Sequence, residues 1–172
     1  RRRPTPGLAA QHLKAVEAAA AVGMARVEGA QLGSQRLVFE PGAVRSGEFY
    51  FDIGTAGSTS LVLQTILIPL SFAPAVSRVR LIGGTHIPWS PCFHFLEMHW
   101  LHYLAMIGFN IRLELHAAGF YPRGGGRVHA TVQPATECMP LHVLNRGALK
   151  KIRGVSASAN LSLAVAERQK TQ

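Results

Sequence analysis

Between Leu61 and Ala73 the chain reads LVLQTILIPLSFA, apolar on every side except for Gln64, Thr65, Pro69 and Ser71. A helix that is hydrophobic all round cannot lie on a protein surface, so it must be covered by other elements or by lipid. This run is shorter than the roughly 18–20 residues needed to cross a bilayer, and it carries polar groups. It therefore predicts a buried helix of a soluble domain and not a membrane anchor. The residues ahead of it, GEFYFDIG, read as a strand closed by Gly54. GTAGSTS then carries the strand into the helix. Gly54 and Gly57 can take positive φ, and Ser58, Thr59 or Ser60 can cap the helix. Free N–H groups at such a mouth suit an anion. No lysine stands in the Walker position, so this is not a P-loop, and a structural turn explains the glycines by itself. Gln64 must find partners if it is buried.

The rest of the chain falls into the elements such a helix needs around it. A basic, Pro-interrupted lead-in, RRRPTPG, precedes a helix with an apolar stripe at Leu8, Leu13, Val16 and Ala20, ended by Gly23. ARVEGAQLG and QRLVFEPG read as short strands around a Gly33-Ser34 turn. SRVRLIGG is a strand, SPCFHFLEMHWLHYLAMIG a second, aromatic-rich helix, and NIRLELHAAG and GRVHATVQP are strands joined by FYPRGGG. The last third predicts short strands and a final helix from about Leu161. Helices and strands mixed in this order predict an α+β fold with helices packed on mixed sheets. Arg1-Arg2-Arg3, with no methionine, and an end inside a helix at Gln172 read as cut edges of a larger protein.

Charge narrows the partners. Eighteen Lys plus Arg against nine Asp plus Glu give a formal net charge of +9, which suits a polyanion such as nucleic acid or a nucleotide. Arginine dominates, and its guanidinium can hold two phosphate oxygens at once. Cys92 and Cys138 have no zinc-like spacing and predict free thiols in a reducing compartment. Arg3, Gln11 and His12 could gather a cation, a neutral donor and a titratable donor near a helix N-terminus, an anion pocket. His94, His99 and His102 invite a metal reading, but His94 is rotated away from the other two and no carboxylate or thiol completes a set. The few acidic residues leave little room for paired-carboxylate catalysis. From the residues alone the chain is a basic α+β protein suited to binding phosphate.

Five stretches, PGLAAQHLKAV, VEGAQLGSQRLVFEPG, IGTAGSTSLVLQT, LIGGTHIPWSP and GFYPRGGGRV, occur in an order that resembles the RNA 3′-terminal phosphate cyclases. The resemblance implies repeated units of two helices on a mixed four-stranded sheet. It places a partial cyclase-like repeat domain at residues 1–140 and the start of a smaller inserted α/β domain at 141–172. It implies a ligase-class enzyme using ATP and Mg2+ or another divalent cation, with RNA bearing a 3′-terminal phosphate as substrate, in the cytoplasm. The reaction implied converts that phosphate to a 2′,3′-cyclic phosphate through enzyme–AMP and RNA-adenylate intermediates. By motif, Gln64, Pro91 and Phe95 fall where the family binds the nucleotide, and Arg3, Gln11 and His12 where it binds phosphate or the RNA end. The family's metal-associated glutamate loop is expected ahead of Arg1 and its nucleophilic histidine beyond Gln172. That leaves no catalytic or metal residue here and an isolated chain without activity. The alternative is a non-catalytic relative acting in ribosome biogenesis through RNA contacts.

Overall fold

The structure, a computed structural model, describes residues 6–171. The chain divides into two compact units, Arg1–Pro140 and Leu141–Gln172.

The first unit begins with α1 (Ala10–Val22), a two-stranded antiparallel sheet of β1 (Arg26–Glu28) and β2 (Val38–Glu40), and then the main sheet. That sheet takes β3 (Glu48–Asp52), β4 (Ser77–Gly83), β5 (Asn110–Ala117) and β6 (Gly126–Gln133) in the order β3-β4-β6-β5. β3 and β4 are parallel and the other neighbours antiparallel, so the sheet is mixed. The parallel pair needs a crossover, and α2 (Thr59–Leu70) supplies it. The aromatic-rich third helix is interrupted. α3 (Phe93–Phe95) runs through a π-helical turn (Leu96–Trp100) into α4 (Leu101–Met106). Two helical connections on one mixed four-stranded sheet are the α+β arrangement that the alternation of patterns predicts.

The apolar helix is buried as expected on the sides that meet α1 and the sheet, while Thr65 and Ile68 on its remaining side stay exposed. Val62, Leu63, Ile66, Leu67 and Leu70 of α2 are essentially inaccessible, and they pack with Ala18 and Val22 of α1 and with Phe49, Val79, Leu81, Val128, Ala130 and Val132 of the sheet. Burying each such side chain is worth roughly 1.5–3 kcal/mol, so this one layer dominates the stability of the unit. Along β4 and β6 exposure alternates residue by residue. The inner face is apolar. The outer face carries Tyr50, Arg78, Arg80, Arg112, Arg127 and His129 and is left to solvent.

The second unit contains α5 (Leu163–Lys170), whose N-cap Ser162 accepts from the Ala164 N–H, and Ser156 Oγ donates to the Ala166 carbonyl. The short strands expected in the last third are absent among the described residues of this unit. Leu144 and Ile152 are almost fully exposed, and among the described residues no strand pairs with the backbone there, without which an extended segment gains no ladder.

Candidate functional site

Parallel β3 and β4 end on the same side, where β5 also ends and β6 begins. Three glycine-bearing loops therefore meet there: residues 53–58 after β3, 84–92 after β4 and 118–125 between β5 and β6. The Gly84 N–H donates to the Gly57 carbonyl at 2.7 Å, while the Thr59 N–H and Thr59 Oγ1 both donate to the Gly84 carbonyl at 2.9 Å. The N–H groups of Thr85 and His86 both donate to the Gly119 carbonyl. A Cβ on Gly83 would stand 2.7 Å from the Gly57 carbonyl oxygen, and one on Gly124, where φ is +68°, would stand 2.8 Å from Ala56 Cα. Only hydrogen fits at these crossings. The glycines are used for close backbone approach.

The mouth of α2 is closed by its own neighbours. Ser58 is the N-cap and accepts from the Leu61 N–H at 3.1 Å. Its own N–H donates to Gln11 Oε1 at 2.8 Å, across 47 residues of sequence. The Ser58 hydroxyl also bonds Ser90, whose Oγ is 3.1 Å from the Pro91 carbonyl oxygen. The N–H groups of Ser58, Thr59 and Leu61 are thus spent inside the protein, and this helix end is occupied by Gln11, Gly84 and the serine cap. At the start of α1, His12 Nδ1 accepts from the Ala9 N–H at 3.1 Å, one half of a capping box. The turn at Gly33 bonds to Leu8 in both directions, fastening the β1–β2 segment to the beginning of α1.

Of the residues singled out in the sequence, Gln11 and Pro91 are brought together through Ser58 and Ser90. His12 is next to Gln11 on α1. Gln64 lies on α2 six residues beyond Ser58, roughly 9 Å along the axis at 1.5 Å per residue. It is half-buried, and its amide makes no hydrogen bond among the described residues. Phe95 is one turn past Pro91 with its ring about half exposed, and His99 packs beside it at 5.6 Å between centroids. No hydrogen bond or ring contact joins Gln64 to Phe95 among the described residues. Arg3 lies outside the described residues.

A chain of contacts that the sequence did not suggest stiffens the same loops. The Gly119 N–H donates to Thr85 Oγ1, which lies 2.8 Å from His86 Nδ1, and His86 Nε2 lies 3.0 Å from His94 Nδ1. The network is satisfied if the threonine hydroxyl donates to His86 and His86 donates to His94. The His86 ring also stacks on Phe120 at 5.4 Å. Burial, and then the facing His94, hold the His86 imidazole below the ordinary histidine value. His94 therefore belongs to a pair with His86, not to a set with His99 and His102. The eight-residue spacing, part loop and part helix, has no periodicity by which the sequence could announce it.

The family model described as RNA 3′-terminal phosphate cyclase matches residues 1–170. Over 168 residues the chain is 52% identical to the RNA 3′-terminal phosphate cyclase of Pseudomonas fluorescens, an alignment covering 98% of this chain and 49% of that protein. It is 47% identical to the protein of the same name from Hyperthermus butylicus, covering 98% of this chain and 47% of the relative. With the one from Archaeoglobus fulgidus the identity is 46%, over 97% of this chain and 50% of the relative. The chain spans about half the length of the curated relatives it matches.

Proposed function

The chain belongs to the RNA 3′-terminal phosphate cyclase family, and from that premise we propose that it forms the nucleotide-binding and RNA-end-binding half of an ATP-dependent cyclase. The observation that carries this reading is the meeting of four of the five family-like stretches at one end of the main sheet, stitched by Gln11, Ser58, Gly84, Ser90 and Gly119. ATP supplies the adenylyl group, with release of pyrophosphate, and its transfer to the RNA 3′-phosphate puts AMP there as a leaving group, which the vicinal 2′-hydroxyl displaces to close the 2′,3′-cyclic phosphate.

The residues present fit the nucleoside better than the charge it carries. Phe95 offers an aromatic face, Pro91 an apolar border and Gln64 an amide without a hydrogen-bond partner among the described residues, a set suited to an adenine ring. Gln11, fixed by Ser58, orients the start of α1, and His12 stands beside it for the RNA end. Arg3 is assigned the phosphate, since guanidinium binds phosphate in a bidentate manner. Asp52, the carboxylate at the end of β3, already accepts from the Gly54 N–H. A Mg2+ ion here would be carried largely on the phosphates of the nucleotide, as this ion commonly is. The attacking histidine is assigned to sequence outside this chain.

Equilibrium binding tests the reading. The chain is expected to bind ATP, to prefer RNA ending in a 3′-phosphate over the same RNA ending in a 3′-hydroxyl, and to lose nucleotide affinity in Phe95→Ala. Equal affinity for both RNA ends, together with no ATP binding, would overturn the site. Incubation with α-labelled ATP and magnesium should leave no covalent label. A labelled band at the mass of the chain would place the nucleophile within it.

A further inference from the structure

The outer face of the main sheet carries a group of side chains remote in sequence from the family-like stretches around α2. Glu114 and His116 lie two apart on β5 and so share one face of the strand. Glu114 is paired across the sheet with His129 of β6. Between Leu115 and Ala117 the β5–β6 register slips at a bulge, and His116 is the residue it inserts. Bulges re-aim side chains. Here the His116 ring comes to 3.9 Å from the His129 ring, centroid to centroid. One nitrogen from each imidazole and one oxygen from the carboxylate all lie within 4.8 Å of one another.

We propose that Glu114, His116 and His129 form a binding site for a divalent transition metal of the zinc class, which clips edge strand β5 to β6. The donor set, two imidazoles and a carboxylate, is one that zinc accepts and that Mg2+ or Ca2+ does not favour. Two ligands about 2.05 Å from a tetrahedral ion stand roughly 3.3 Å apart. His116 Nε2 and Glu114 Oε2 are already 3.4 Å apart. From the 4.8 Å limit of the set, the atoms farthest apart have to close by at most about 1.5 Å, within reach of a side-chain rotation. Glu114 is held in place from behind, because Arg112 Nε bonds its Oε1 at 2.9 Å and leaves Oε2 toward the histidines. A partner that fixes a ligating carboxylate in this way is a usual companion of metal sites.

The surroundings set the strength. Arg80, Arg112 and Arg127 stand on the same face and oppose a cation, so binding is expected to be moderate and the remaining coordination positions to favour an anion or water. Burial, and then His116 and Arg80, keep the His129 imidazole below its ordinary value, toward the neutral form a metal requires.

The whole 172-residue chain is titrated with Zn2+ and with Co2+ as probes. Calorimetry with Zn2+ should show one equivalent bound, and Co2+ should develop visible bands of the intensity given by a four- or five-coordinate site. His116→Asn, His129→Gln and Glu114→Gln are each expected to weaken Zn2+ binding tenfold or more. His99→Asn with His102→Asn should leave it unchanged. These positions are on the surface, and an unchanged far-ultraviolet dichroism spectrum checks that each variant is folded. No saturable Zn2+ binding, or binding lost in the His99/His102 variant and kept in the other three, would overturn the proposal.

Discussion

Replacing Gln11 by methionine keeps its length and apolar stem but removes the oxygen that accepts from the Ser58 N–H at 2.8 Å. Ser58 is 1% exposed, so its N–H has no ready route to water. A buried donor left without a partner costs about 1–3 kcal/mol. The contact is on the half-buried side of α1, and about 2 kcal/mol is expected. For a domain of this size that corresponds to a fall in Tm of roughly 4–8 °C. Gln11→Glu makes the converse change. A carboxylate still accepts the bond, and its negative charge faces the N-terminus of α2, where it is worth roughly 0.3–1 kcal/mol in the stabilising direction. The stability order expected is therefore Glu at least equal to Gln, and both above Met. Urea unfolding followed by tryptophan fluorescence measures it, because Trp89 and Trp100 are the only tryptophans and both lie in the first unit. Binding of an RNA 3′-phosphate end should follow a different order, with Glu weakest because it repels the phosphate. A Met variant within about 0.5 kcal/mol of the parent, or a Glu variant as unstable as Met, would refute the claim that Gln11 closes the α2 mouth.

Gly84→Ala sets a methyl group against the Ala56 carbonyl and Ile87, and should cost about 3 kcal/mol by overpacking; a melting temperature within about 2 °C of the parent would contradict that. The depressed His86 imidazole makes stability pH-dependent with a definite sign. Because the folded value lies below the unfolded one, its stabilising contribution is fully present above about pH 6.5 and is lost as pH falls through the folded value. The urea midpoint should drop between about pH 7.5 and 5.5, and drop less in His86→Gln. With about four phosphates contacted, single-stranded RNA affinity should fall about 50-fold between roughly 50 and 200 mM salt; an affinity indifferent to salt would remove the electrostatic part of the proposed function.

Local patterns carried much of this fold. A mostly apolar helix had to bury most of its surface, β4 and β6 alternate in sequence as they do in burial, and the Gly-marked ends of β3 and β4 fall where the turns are. Such features depend on a residue and its near neighbours, through side-chain period and allowed φ. The quoted stretches likewise held the family resemblance in plain view. Other features were not legible because they join distant residues. Nothing near Gln11 says that its oxygen caps a helix 47 residues later. Nothing near His94 selects His86 over His99. The expected strands after Pro140 had acceptable local composition, but a strand exists only with a partner to pair it, and there the pattern misled. Glu114 and His116 could have been matched by their spacing of two, yet His129 joins them only through the β5–β6 register and the bulge that turns His116 toward it. The sequence by itself therefore determined the helices, strands and tight turns of the first unit, and which of their faces are apolar. Tertiary structure alone decided which polar side chains meet, because hydrogen bonds and metal geometry depend on positions within an ångström, and those are set by how the sheet and helices pack.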